Sequence, residues 1–273
     1  MRSFRSSVVV VTGAGSGIGR ATAITFARQG ARVVLADIRE DRLAKVTEDI
    51  LVEGGNAWAC KVDIADRDQT ESFALSVLER YRAVDVVVNS AGVLILGELR
   101  LLSLEDFEWA MGVNFWGLIH IIHSFLPSLI ERRQGHFVNI ASANGLAPLP
   151  FVGAYSASKS AVLMISETLR YEVARYGVGV TTVCPGLTRS EMRNDVRFRT
   201  DARGTREFLE NLIRRARNRE IDPFIVANKI LAAIHGNRAF IRISAETFLL
   251  SWLYRFFPRL LRLGARSVVK KIT

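Results

Sequence analysis

The sequence predicts an α/β protein: a doubly wound parallel sheet of about seven strands, helices on both faces, and an extra amphipathic helical tail. Three observations predict it. Runs of β-branched residues alternate with stretches whose apolar residues recur every three or four positions, the order expected when each strand is followed by a crossover helix. The first run opens directly into a glycine-rich turn. No internal repeat or low-complexity linker divides the 273 residues.

The elements follow in order. Residues 8–11 are four consecutive valines, as in a strand covered on both faces. A helix is expected over 17–29, a strand over 32–36, and a helix over 39–53 with Leu43, Val46 and Ile50 on one stripe. A strand at 57–62, a helix at 66–81 and a valine-rich strand at 84–89 come next. Ser103 to Asp106 resembles a capping box with Asp in place of Glu or Gln. Its helix is expected to reach Leu126 and stop before Pro127. A strand at 136–141, a helix at 155–176, a strand at 178–184, a helix at 222–235 and a short strand at 240–243 complete the alternation. We expect one domain over 1–243. Within it, 188–220 carries ten arginines against six acids and reads as a mobile insertion or short helices between the sixth strand and the next helix.

Composition narrows the function. With 49% hydrophobic residues the chain is not disordered. Two cysteines, Cys60 and Cys184, exclude a disulfide scaffold or Cys-rich metal module and read as reduced thiols in a cytoplasmic protein. Formal net charge is +10, but half of that excess lies in 244–273, where six cations face Glu246 alone. Nucleic-acid binding by the whole protein is therefore not expected. The start is basic, yet its apolar run is too short for a secretory or membrane-spanning segment.

The turn after the first strand reads Thr12-Gly13-Ala14-Gly15-Ser16-Gly17-Ile18-Gly19. Glycines let the backbone approach a pyrophosphate, whose charge meets the N–H groups of a helix start. Asp37, twenty residues after Gly17, ends the second strand, where a carboxylate accepts adenosine-ribose hydroxyls and repels a 2′-phosphate. At 4 Å that repulsion is about 4 kcal/mol at an effective dielectric of 20. NAD is thus preferred, and NADP stays open because Arg39 and Arg20 are near. Asp63 and Ile64 follow the third strand, and Asn89, Ser90, Ala91 and Gly92 the fourth, all on the carboxyl edge where ligand crevices form in such sheets.

Tyr155 and Lys159 are i and i+4 on one helix face. An ammonium about 4 Å away supplies roughly the 4 kcal/mol needed to bring a phenol toward neutral pKa. Tyr155 is then a general acid/base. Ser142 ends the fifth strand and is placed to bond a substrate oxygen. Asn114, a mediocre helix former inside a long helix, suggests a local water site connecting to Lys159. His120, His123, His136 and His235 show no metal spacing and read as packing or surface residues, so no metal is expected.

Together these pieces, with Pro185-Gly186, resemble the short-chain dehydrogenase/reductase family in its small branch, over about residues 8–243. The resemblance implies a Rossmann-type fold and hydride transfer between NAD(P)(H) and a secondary alcohol or ketone. It implies that Tyr155 exchanges the proton, Ser142 positions the oxygen, Lys159 also binds nicotinamide ribose and Asn114 holds a relay water. Pro185, Gly186, Thr188 and Ser190 resemble the nicotinamide-side loop. It further implies a homo-oligomer, dimer or tetramer, built on the helices around 103–126 and 155–176, and a substrate lid at 188–220. A catalytically silent nucleotide-binding regulator is the alternative that the intact Tyr155/Lys159 pair speaks against.

Arg193, Arg197, Arg199 and Arg203 of the lid either meet an acidic substrate or form a solvated surface. Arg255, Arg259, Arg262, Arg266 and Lys270 fall on one helical stripe, with Leu249, Leu253, Phe257, Leu260, Leu261 and Val268 largely opposite. Pro258 kinks this helix or opens a second. Two readings follow: a helix packed on its own or a sister subunit, or peripheral membrane contact with a lipid-like, steroid-like or retinoid-like substrate.

Overall fold

The computed structural model describes residues 3–200, 203–216 and 220–270. The first half runs β1 (Val8–Thr12), α1 (Gly17–Arg28), β2 (Arg32–Asp37), α2 (Glu40–Val52), β3 (Asn56–Lys61), α3 (Arg67–Tyr81) and β4 (Val86–Asn89). Next come β5 (Ile95–Gly97), α4 (Leu104–Met111), a π-helical turn at Gly112–Trp116, α5 (Gly117–Glu131), β6 (Gly135–Ile140), α6 (Ala143–Leu146), α7 (Gly153–Val173) and β7 (Val178–Cys184). The chain continues with β8 (Arg197–Arg199), α8 (Arg203–Ala216), α9 (Pro223–His235), β9 (Phe240–Arg242), α10 (Ala245–Phe256) and α11 (Pro258–Lys270).

Seven strands form one parallel sheet in the order β3-β2-β1-β4-β6-β7-β9. The run of four valines in β1 has a direct cause. Val8 and Val10 enter the core layer with Phe73, Phe125 and Phe137, while Val9 and Val11 enter the opposite layer with Phe26, Leu35 and Ile230. Both faces are covered, so both sets of alternating positions are apolar. The strand order reverses beside β1, opening a crevice at the carboxyl edge between β1 and β4.

The capping box is present: Ser103 accepts from the Asp106 N–H, and Asp106 accepts from the Ser103 N–H. Asp66 and Asp222 cap α3 and α9 by accepting from the Gln69 and Phe224 N–H groups, with Pro223 at the first helical position of α9.

Two expectations need correction. The long helix does not stop before Pro127 but continues to Glu131. Pro127 is on the exposed side, where water can satisfy the freed carbonyl, and Leu129 two residues further is fully buried. Residues 188–220 are not wholly helical or irregular, since β8 pairs in parallel with β5 as a separate two-stranded sheet. In the tail, the second of the two readings of Pro258 is the one found: the chain turns at Phe257 and Pro258 opens α11. Lys271 lies outside the described residues, as do the side chains of Arg193 and Arg203.

Candidate active site

The carboxyl edge of the sheet borders a crevice of about 1390 Å³. Single small-molecule pockets hold roughly 300–1,000 Å³, so there is room for a dinucleotide and a second molecule.

The phosphate turn is packed backbone against backbone. Gly13 has φ +64°, and a Cβ there would lie 2.6 Å from the Ala91 Cα. Gly17 has φ +50°, and its Cβ would lie 2.5 Å from the Ser190 hydroxyl oxygen. A Cβ on Gly19 would strike the Gly13 carbonyl. α1 starts without a side-chain cap from Ser16, leaving its first-turn N–H groups for an anion. Gly13, Ser16 and Ile18 line the crevice.

Asp37 ends β2 at the crevice wall, accepting from Gly15 N–H at 2.9 Å and from Arg39 N–H at 3.0 Å. The turn thus holds the carboxylate in place while its remaining lone pairs face the crevice. The cations that would welcome a 2′-phosphate are engaged elsewhere. Arg20 pairs with Asp49 at 2.7 Å and Arg39 with Asp41 at 3.1 Å. Arg42, which the sequence reading overlooked, bridges Glu191 at 3.1 Å and Asp195 at 3.0 Å across the crevice mouth.

Asp63, Ile64, Ala91, Gly92, Pro185, Gly186, Thr188 and Ser190 also line the crevice. Asp63 accepts from Ala65 N–H, and the Ile64 carbonyl bonds His120 Nδ1 at 3.0 Å. The Thr188 hydroxyl donates to the Gly186 carbonyl, and Ser190 caps the following turn through Met192 N–H. Thr12, Gly17, Gly19 and Asn89 are not on the crevice wall. Thr12 Oγ1 accepts from the Ser90 and Ala91 N–H groups and so fixes the loop beneath the cofactor space. Asn89 donates to Asn139 Oδ1 at 2.9 Å, and Asn139 donates to Ser166. Asn89 thus ties β4 to β6 through its Nδ2, while its Oδ1 has no protein partner.

Ser142, Tyr155 and Lys159 do come together on the crevice wall. Ser142 caps α6 through Asn144 N–H, and its hydroxyl bonds the Tyr155 phenol. Burial pushes that phenol up, and the Ser142 bond pulls it back. Lys159 is 4% exposed, donates to the Ile140 carbonyl at 2.9 Å, and is pulled down to about 8 by burial. Lys159 is not among the groups that set the Tyr155 pKa. The sequence argument weighed the charge on Lys159 and left out the desolvation of both groups.

Asn114 is held by protein partners on both ends of its amide. It sits in the π-helical turn, buried, with Oδ1 accepting from Val93 N–H at 2.8 Å. Its Nδ2 donates to the Val93 carbonyl and to Ser158 Oγ, and Ser158 in turn donates to the Tyr155 carbonyl. Both amide hydrogens are spent on protein partners, so Asn114 clamps the β4 loop to the Tyr155 turn of α7. Gly92 lets the site close up: a Cβ there would lie 3.0 Å from Asn114 Oδ1 and 3.3 Å from Lys159 Nζ.

The family model described as short chain dehydrogenase matches residues 7–201. The chain belongs to the short-chain dehydrogenase family. Membership gives the coarse chemistry, NAD(P)-dependent oxidoreduction. The "Probable oxidoreductase EphD" of Mycobacterium tuberculosis (strain ATCC 25618 / H37Rv) is 35% identical over 270 residues, which are 96% of this chain and 45% of that protein. The chain thus spans about half the length of the curated relatives it matches. A short chain dehydrogenase/reductase from Burkholderia phymatum, solved in complex with NAD, is 32% identical at a TM-score of 0.87, covering 96% of this chain and 97% of that one. A metagenomic short-chain oxidoreductase in complex with NADP is 28% identical at a TM-score of 0.72, covering 89% and 100%.

The insertion at 188–220 is pinned to the rest of the fold. Arg199 makes a two-toothed bond to Asp106 at 2.7 and 2.8 Å, and Arg197 lies 3.6 Å from the Trp109 ring centroid. These two arginines hold β8 in place and are committed to protein partners rather than to an acidic substrate. Sequence reasoning also missed Ser158 and Phe151. Phe151 lines the crevice at φ +66°, a conformation rare outside glycine. Neither has a sequence signal: one is an ordinary helix serine, the other a loop aromatic. The far wall belongs to Leu249, Leu250, Leu253 and Val268 of α10 and α11. Their periodic apolar pattern was visible, but not what they face.

Proposed function

We propose that the chain interconverts a secondary alcohol and a ketone with NAD(H), with Tyr155 as general acid/base. The observation that carries this reading is the meeting of Ser142, Tyr155 and Lys159 on the wall of the dinucleotide-sized crevice. Gly13, Ser16, Asp37, Asp63 and Gly92 would hold the cofactor, which when bound supplies the hydride chemistry. Tyr155 receives the alcohol proton in oxidation and returns it to the carbonyl oxygen in reduction. The Ser142 hydroxyl, beside the same phenol, bonds that oxygen as charge grows on it. The Lys159 ammonium, held by the Ile140 carbonyl on the same wall, would bind the nicotinamide ribose, and Asn114 ties the loop after β4 to the Tyr155 turn of α7 through Val93 and Ser158.

NAD is preferred over NADP because Asp37 faces the ribose end while Arg20, Arg39 and Arg42 are already paired. The leucine wall from α10 favours an apolar substrate, lipid-like, steroid-like or retinoid-like, reached at a membrane surface. A homo-oligomer is supported by Leu104, Trp116, Met164 and Tyr171, which are exposed on α4, the π turn and α7.

A panel of alcohols and ketones, read by reduced-nicotinamide absorbance with each cofactor, tests the reading. The expected result is turnover of a bulky apolar alcohol with NAD favoured, and an Asp37→Ser variant that shifts the preference at least about tenfold toward NADP. Cofactor binding without turnover of any member would favour the silent regulator instead.

A further inference from the structure

α10 has two apolar faces. One turns inward, where Leu250 and Leu253 wall the crevice and Thr247 is buried. The other turns outward and carries Phe248, Trp252 and Phe256 at four-residue spacing, continued by Phe257. These four rings are 43–59% exposed. Trp252 lies 5.8 Å from Phe256 and 5.1 Å from Phe257 between ring centroids, so they form one ridge. A half-covered ridge of four aromatics leaves apolar surface on the order of 400 Å², the size of a working interaction patch.

The charge beside the ridge says what meets it. Arg255, Arg259, Arg262, Arg266 and Lys270 are all exposed, and the sequence holds no acid between Thr247 and Lys270. Glu246, the one acid of α10, lines the crevice. On α11 the four cations share one face, with Leu260, Leu261 and Val268 on the other, and no α11 residue is buried. A second copy of the chain is a poor occupant, because a two-fold interface would set this cationic patch against itself. Aromatic rings flanked by arginines on a short helix suit the headgroup region of an anionic bilayer.

We infer that the α10–α11 hairpin docks on an anionic lipid surface through this ridge and stripe, holding the crevice mouth against the lipid so that an apolar substrate passes directly from one to the other. The second half of this inference rests on the apolar-substrate reading of the active site; the docking itself does not.

The full chain is sedimented with vesicles of equal parts phosphatidylcholine and phosphatidylglycerol, and with phosphatidylcholine alone. Two variants accompany it: Phe248→Ser with Trp252→Ser and Phe256→Ser, and Arg259→Glu with Arg262→Glu and Arg266→Glu. None of these residues lines the crevice. Cofactor binding, followed by fluorescence, certifies that each variant is folded. The wild type is expected to pellet with the anionic vesicles, and each variant to lose at least about tenfold of that partitioning. Both variants keep wild-type kcat/KM on a short water-soluble ketone and lose it on a ketone dissolved in the vesicles. A wild type that stays in the supernatant with anionic vesicles overturns the inference. So do variants that pellet undiminished, or a ridge variant that falls from oligomer to monomer by light scattering, which would mean a second copy covers the ridge. Pelleting with no turnover of any ketone would support docking while removing the proposed reaction.

Discussion

The crevice is bordered by two regions built on opposite principles. The β1–α1 turn is fixed by its main chain, with Gly13 against Ala91, Gly19 against Gly13 and Gly15 bonded to Asp37. The α10–α11 hairpin touches the fold through side chains, and a Cβ added to Gly264 in α11 would meet nothing within 4 Å beyond its own stretch of helix. Where backbone must approach backbone, only one residue type fits, so the chemistry is written into the sequence. Where leucines and arginines face a space, many residues fit, and the contacts cannot be read from spacing.

The comparison can be broken or sharpened by substitution. Tyr155→Phe removes the proton carrier without touching the turn. Turnover should fall about a thousandfold with cofactor affinity unchanged, checked by steady-state rates and fluorescence titration; wild-type rates would reject the assignment. Next in size is Gly13→Ala, where φ is +64° and the new Cβ meets the Ala91 backbone. It should cost more than about 1 kcal/mol of stability and weaken cofactor binding about tenfold, measured by denaturation and titration. A variant indistinguishable from wild type would show that the turn is less constrained than its contacts imply.

Lys159→Met carries a pH signature. The folded pKa is about 8 against 10.5 for a free lysine, so between these values the unfolded chain holds a proton that the folded one has released. Wild-type stability should therefore rise with pH across that window, and below it the buried cation is a constant cost. Methionine removes that cost and orphans the Ile140 carbonyl, for a net gain of about 2 kcal/mol at pH 7, alongside lost activity. Chemical denaturation at several pH values decides it, and a variant that keeps the wild-type slope would contradict the burial argument.

Asp106→Asn should loosen the lid, since it unpairs the half-exposed Arg199. We expect about 1–2 kcal/mol of lost stability and a raised KM for the substrate at unchanged cofactor affinity. Gly264→Ala is the smallest and the sharpest contrast with Gly13. It should leave activity untouched and raise local helicity, worth at most about 1 kcal/mol by circular dichroism and thermal melts.

Much of this architecture was legible. The valine run of β1 announced a doubly covered strand, and the Ser103 capping box located the start of α4. Asp37, Ser142, Tyr155 and Lys159 were found because strand ends and i, i+4 spacing predict position. What stayed hidden depended on partners distant in sequence. Arg42 meets Glu191 and Asp195 only once α2 and the lid are brought together. The Asn114–Ser158 bond links helices 44 positions apart. Pro127 misled because local propensity says stop, while Leu129 gains more by reaching the core.

The contact between Gly17 and Ser190 has a consequence for biosynthesis. A ribosome that has released β1 through β4 has delivered the nucleotide-facing strands, yet the crevice still lacks its opposite rim. Nascent chains that end before Ser190 should not retain dinucleotide, because that rim has not yet emerged. Capture of the cofactor therefore comes late in translation, when most of the sheet is already in place to receive it.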